Sequence, residues 1–91
     1  MISAYVMIYL GDGAVASDVA SDLMALKEVS NLHIVYGDCD LIAFVEVEDM
    51  AKLRNLTFDK LLKVSGVHKT KTLILAGEDE WDFKKLVGKS G

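Results

Sequence analysis

Apolar residues recur along this chain with two different periods, and the switches between them mark out six elements. From Ile2 to Leu10 the alternate sets Ala4, Val6, Ile8, Leu10 and Tyr5, Met7, Tyr9 are both largely apolar, as in a strand covered on both faces. After the Gly11-Asp12-Gly13 turn, Val15, Val19, Leu23 and Leu26 follow at steps of four, four and three, the stripe of an amphipathic helix with Asp12 as its candidate N-cap. A second strand runs from Val29 to Tyr36 and a third from Leu41 to Val47, where only Glu46 is charged. A second helix is expected from its N-cap Asp49 to about Lys63, burying Met50, Leu53, Leu56 and Leu61. Ser65-Gly66 stops it, and a fourth strand covers Val67 to Leu75.

The order β-α-β-β-α-β predicts a ferredoxin-like α+β fold, a four-stranded antiparallel sheet with both helices on one face. A faint internal echo agrees with two βαβ halves, since Val29-Ser30-Asn31-Leu32-His33 is matched by Val64-Ser65-Gly66-Val67-His68 at the same helix-to-strand corner. Two helices cover only one side of the sheet, yet strands one and three are apolar on both. The uncovered side is therefore an expected interface, and two subunits packed sheet to sheet would form a dimeric α/β barrel.

Composition sharpens this. The chain has 91 residues, one domain's worth, and 52% of them are hydrophobic, whereas a domain of this size buries only about 60–65% of its unfolded surface. Residues 1–76 are expected to form that domain and residues 77–91 a tail. In the tail, acids (Glu78, Asp79, Glu80, Asp82) precede lysines (Lys84, Lys85), the charge order of a short helix, with Trp81 as an anchor for docking. A net charge of −4 and a pI near 5.0 disfavour direct binding of nucleic acid. A single cysteine, Cys39, allows neither an internal disulfide nor a Cys-based metal site, so a reducing cytoplasmic setting is expected. No apolar run approaches the ~18–20 residues of a membrane span, and the start of the chain lacks the basic flank of a signal peptide.

The candidate chemistry sits in Gly37-Asp38-Cys39-Asp40, a turn that places two carboxylates beside a glycine between two apolar strands. Asp and Gly are ordinary turn formers, so a purely structural turn stays open. As an acid/base pair the two acids lack a nucleophile, a second cluster or a cofactor motif, and none is expected. A reactive-thiol role is not expected for Cys39, which stands between two acids. His33 and His68 lie at matched places in the echo, but two histidines without a third ligand make a weak metal site, and structural roles are expected.

With these residues in view, the chain resembles the effector-binding domain of the Lrp/AsnC, or feast/famine, transcription regulators. The resemblance is carried by Val35-Tyr36-Gly37-Asp38-Cys39-Asp40-Leu41-Ile42-Ala43, by Val47-Glu48-Asp49-Met50, and by the run from Val64 to Leu75 with its Gly66-Val67 corner and Thr70-Lys71-Thr72. It implies a dimeric α/β barrel that joins further dimers into octamer or decamer rings, with an amino-acid effector held near the G-x-x-D turn between dimers. Position by position, it implies an effector site of Gly37, Asp38 and Asp40 with Thr70 and Thr72. Carboxylates suit the ligand ammonium, and backbone N–H groups or hydroxyls suit its carboxylate. Cys39 replaces an aromatic usual in the family and Ser65 a common proline, the first altering a pocket wall. Strand one begins at the second residue where the regulators carry a helix-turn-helix, so the expectation is an effector domain standing alone.

The leading expectation is thus an amino-acid-binding module, not an enzyme, that modulates transcription by assembly, with itself or with a full-length Lrp/AsnC regulator. Two others remain. One is a small monooxygenase- or isomerase-type enzyme on the same barrel, which needs a deep histidine-lined pocket between helices and sheet. The other is an ACT-like regulatory domain, whose Gly-rich turn after strand one is only partly matched by Gly11-Asp12-Gly13.

Overall fold

The structure is a computed structural model and describes residues 1–76. Strands β1 (Ile2–Leu10), β2 (Val29–Ile34), β3 (Leu41–Val47) and β4 (Val67–Ile74) form one antiparallel sheet in the order β2-β3-β1-β4. Helix α1 (Ala16–Met24) joins β1 to β2. Helix α2 (Met50–Asn55) joins β3 to β4 and continues through a π-helical turn (Leu56–Lys60) and a 3-10 turn (Leu61–Lys63). This is the ferredoxin-like βαββαβ arrangement expected from the pattern. The expected tail lies outside the described residues.

Register decides which residues form the core. Ala4 pairs with Val45 and Ile74, Val6 with Ala43 and Thr72, and Ile8 with Leu41 and Thr70, so these residues share one face. On that face Ala4, Val6, Ile8, Leu41, Ala43 and Val45 are completely buried, packed in one cluster with Val19 and Leu23 of α1, Leu53 of α2, and Leu56 and Leu61 of the turns that follow. Burying each such leucine contributes about 1.5–3 kcal/mol. The other face carries Tyr5, Met7 and Tyr9 of β1, Ile42 and Phe44 of β3, and Leu73 of β4. The Tyr5 and Phe44 rings sit 5.1 Å apart at 54°, in the offset geometry aromatic pairs prefer. Among the described residues no helix covers this side, and Tyr5 and Leu73 remain 42% and 56% exposed.

Two corners show why the chain turns where it does. Asp49 caps α2 as expected, accepting from the Lys52 N–H at 2.9 Å. Gly66 has φ +96°, and a Cβ there would lie 2.8 Å from Val19 Cγ2, so only glycine lets the chain pass under α1 into β4. Its carbonyl accepts from the Gly11 N–H at 2.9 Å.

Several expected details move. Asp12 does not cap α1; it lies inside a turn closed by Ala14 N–H to Gly11 O at 3.1 Å, and the helix starts after Val15 without a side-chain cap. Met50, on the first turn of α2, is 47% exposed and not buried. The second helix does not run regularly to Lys63. Buried Thr57 turns its hydroxyl back onto the carbonyls of Leu53 and Arg54, at 3.2 and 3.1 Å, where the helix widens. Strand β2 ends at Ile34 and β4 at Ile74, shorter than expected, although the Leu75 N–H still reaches Ser3 O at 2.9 Å. The echoed segments are also not equivalent, since His33 is next to the last residue of β2 while His68 is the second residue of β4.

Candidate functional site

The loop between β2 and β3 is wider than a tight hairpin turn. The Val35 N–H donates to Asp40 O at 3.0 Å, closing residues 35–40 into one loop, and the Asp40 N–H donates to Ile8 O at 3.0 Å. Strand β1 runs past the start of β3, which leaves the Leu10 N–H without a β3 partner. The Asp40 carboxylate supplies one, accepting from it at 2.8 Å. Asp40 therefore ties the loop to the end of β1. Gly37 takes φ +138°, open to glycine, Cys39 is buried beneath the loop, and Asp38 and Tyr36 are exposed. One carboxylate is spent on architecture and the other faces outward.

Thr70 and Thr72 lie elsewhere. Pairing with Ile8 and Val6 puts them on the helix-covered side of β4, half-buried. Asp40 directly precedes Leu41, which sits two ladder spacings from Thr70, so the two candidates are separated by about 10 Å. Gly37, Asp38 and Asp40 are brought together in one loop, and the threonines flank them across β1.

His33 and His68 are exposed on different strands, and among the described residues no group of three His, Cys, Asp or Glu side chains could hold a metal ion. They also do not line a cleft of about 470 Å³ at the opposite end of the sheet, walled by Met1, Glu28, Glu46, Val47, Lys52 and Lys60. This is not the histidine-lined pocket the enzyme alternative requires. In the cleft wall Lys60 bonds the Glu28 carboxylate, and this contact holds the Glu28 pKa below its ordinary value of 4.5 against a smaller opposing effect of burial. The other Glu28 oxygen, Oε1, is buried without a hydrogen-bond partner among the described residues.

Sequence reasoning missed this ion pair, which joins residues 32 apart in the chain. It also missed that Lys69 and Lys71 both reach over the Tyr9 ring, at 4.8 and 5.8 Å from its centre. The signal for the second was present: residues 69 and 71 share a strand face by period, and pairing β4 with β1 lays them beside Tyr9.

A family model for the Lrp/AsnC ligand binding domain matches residues 3–78. Among relatives, an uncharacterised HTH-type transcriptional regulator of Pyrococcus abyssi is 32% identical over 68 residues, 75% of this chain and 43% of that protein. The leucine-responsive regulatory protein of Haemophilus influenzae is 30% identical over 78 residues, 86% of this chain and 47% of the relative. The chain thus spans less than half the length of these relatives. Among solved structures, a Thermus thermophilus protein superposes with a TM-score of 0.79 at 27% identity, covering 89% of this chain and all of that one. A feast or famine regulatory protein of M. tuberculosis, complexed with L-methionine, shares the fold with a TM-score of 0.76 at 23% identity, over 91% of this chain and 55% of that one. The fold is that of a ferredoxin-like ligand-binding module. The chain belongs to the Lrp/AsnC ligand-binding-domain family.

Proposed function

We propose that this chain binds a small amino acid at the 35–40 loop, where two sheet-paired dimers meet, and that occupancy controls assembly, with copies of itself or with a full-length Lrp/AsnC regulator in the cytoplasm. The observation that carries the reading is the division of labour in the loop: Asp40 is engaged with the Leu10 N–H, while Asp38 is exposed beside Gly37. In this reading Asp38 receives the ligand ammonium. Asp40 and Gly37 hold the loop's backbone in shape, and Thr70 and Thr72 complete the surroundings from β4, with hydroxyls for the ligand carboxylate. A ligand held between dimers needs only part of its contacts from each chain, which accommodates the separation of loop and threonines. The methionine complex of the M. tuberculosis relative supports an amino acid as the ligand class. Binding, not catalysis, is the proposed activity, with no cofactor, no membrane and no direct contact with nucleic acid.

A thermal-shift screen against the free amino acids tests this. A bound effector at about 100 times its dissociation constant adds roughly 2.7 kcal/mol of stability. The expected result is a shift with one or a few amino acids that Asp38→Asn abolishes while leaving the unliganded melt unchanged. No shift with any amino acid, or a shift that Asp38→Asn leaves intact, contradicts the reading.

A further inference from the structure

We propose that the cleft at the end of the sheet opposite the 35–40 loop binds a small organic ammonium ion, with the Glu28 carboxylate as its anion and Lys60 as a built-in occupant that the ligand displaces. The site is separate from the 35–40 loop and does not rest on the function proposed for it.

Three elements build the cleft, whose volume of about 470 Å³ falls in the range of small-molecule sites. Glu28 stands just before β2, Val47 closes β3, and Lys52, Leu56 and Lys60 come from α2 and the π-helical turn. The backbone at Glu28 is fixed, because its carbonyl accepts from the Glu46 N–H at 3.3 Å. The helical wall is shaped by its irregular turn. Lys52, Leu56 and Lys60 follow at steps of four, and on an α-helix of 3.6 residues per turn each such step drifts by about 40°. A π turn, closed by i→i+5 bonds, holds more residues per turn and brings Lys60 back into line with Leu56. The Thr57 hydroxyl, bonded to the carbonyls of Leu53 and Arg54, sits where that widening begins.

The Glu28 carboxylate is the unusual group in this cleft. Its side chain is only 18% exposed, Lys60 bonds one of its oxygens, and the other, Oε1, is buried without a hydrogen-bond partner among the described residues. Contact with Lys60 also holds its pKa below the ordinary value of 4.5, so it is ionised at neutral pH. A buried charged oxygen without a donor is costly, and it leaves the carboxylate with acceptor capacity that Lys60 does not use. Lys60 itself is 42% exposed, and an ion pair with so exposed a partner holds weakly. When the Lys60 chain swings out, the carboxylate opens to the cleft and both oxygens accept from the incoming ammonium. The ligand's alkyl chain then lies against Val47 and Leu56, which are apolar and buried. The chemistry that fits is a primary ammonium on a short apolar chain, carried by a free amine or by an amino acid.

Titration of the isotope-labelled chain with n-butylamine at neutral pH tests this, read from amide resonances, with far-ultraviolet circular dichroism confirming each variant's fold. The amides of Glu28, Leu56 and Lys60 are expected to shift, and n-butanol at the same concentration to leave them in place. Glu28→Gln should weaken butylamine binding about tenfold. Lys60→Ala should tighten it several-fold, since the competing ammonium is gone, and the Glu28→Gln/Lys60→Ala double variant should bind as weakly as Glu28→Gln alone. L-Norvaline supports the site in either order and assigns its source: tighter binding than butylamine marks an amino acid, weaker binding a free amine. No shift at these amides, an equal shift with n-butanol, or weaker binding in Lys60→Ala overturns the proposal. A shift confined to the 35–40 loop overturns it also, and leaves the function proposed for the loop standing.

Discussion

The two faces of this sheet are made from alternate residues of the same strands, and they could hardly differ more. Toward the helices, Ala4, Val6, Ile8, Leu41, Ala43 and Val45 are sealed completely. Away from them, residues of similar hydrophobicity such as Tyr5 and Leu73 stay about half exposed, with Met7, Ile42 and Phe44 half-buried among them. One face is a finished core. The other is apolar in its middle and stays open among the described residues. The contrast separates residues that fold the chain from residues that assemble it, and it can be broken from either side.

The largest effect is expected from the finished face. Leu41→Ala or Leu23→Ala, each emptying a completely buried site, should cost about 2–5 kcal/mol by denaturant unfolding, whereas Leu73→Ala on the open face should leave the fold intact and weaken only the dimer. Next comes Gly66→Ala. It meets both a positive φ and a 2.8 Å approach to Val19, so a loss of about 1–3 kcal/mol is expected. Asp40→Ala removes the acceptor for the Leu10 N–H and should cost about 1.5 kcal/mol, destabilising the loop while the open face still pairs. Equal effects of Leu73→Ala and Leu41→Ala on folding would erase the distinction between the faces.

The smallest effect concerns the rim pair of Glu28 and Lys60. Because Lys60 holds the Glu28 carboxyl below 4.5 in the folded chain, the unfolded chain binds the extra proton. The pair's stabilisation is present above that pH and disappears as the pH falls through the lower folded value. Glu28→Gln should therefore lower stability at neutral pH by less than about 1 kcal/mol and flatten the acid limb of the stability profile. An unchanged acid limb would show that Glu28 does not sense folding.

Much of this was legible in the chain because period and burial coincide. β1 and β3 were evident from two interleaved apolar sets, the Asp49 cap from its place before a helical stripe, and the Gly66 corner from a glycine between helix and strand. The features that were not legible depend on contacts far apart in sequence. In β4 both alternate sets are mixed, with Val67, Thr70, Thr72 and Ile74 spread over exposed and half-buried positions, and the register shifts where Leu10 meets Val67, so no local pattern says which way the threonines point. Asp40 reads as a turn residue locally, and only the overhang of β1 gives it a donor 30 residues away. Asp12 had the chemistry of a cap, but the Gly11–Ala14 turn had already claimed that stretch of backbone.

The mass of the chain in solution tests most directly whether the open face exists to be covered by a second copy. Light scattering at micromolar concentration should give twice the 10.0 kDa chain mass or a multiple of that pair, and Tyr5→Asp, at the centre of the open face, should yield a folded species of single-chain mass. A parent chain that scatters as a well-folded monomer would contradict the account.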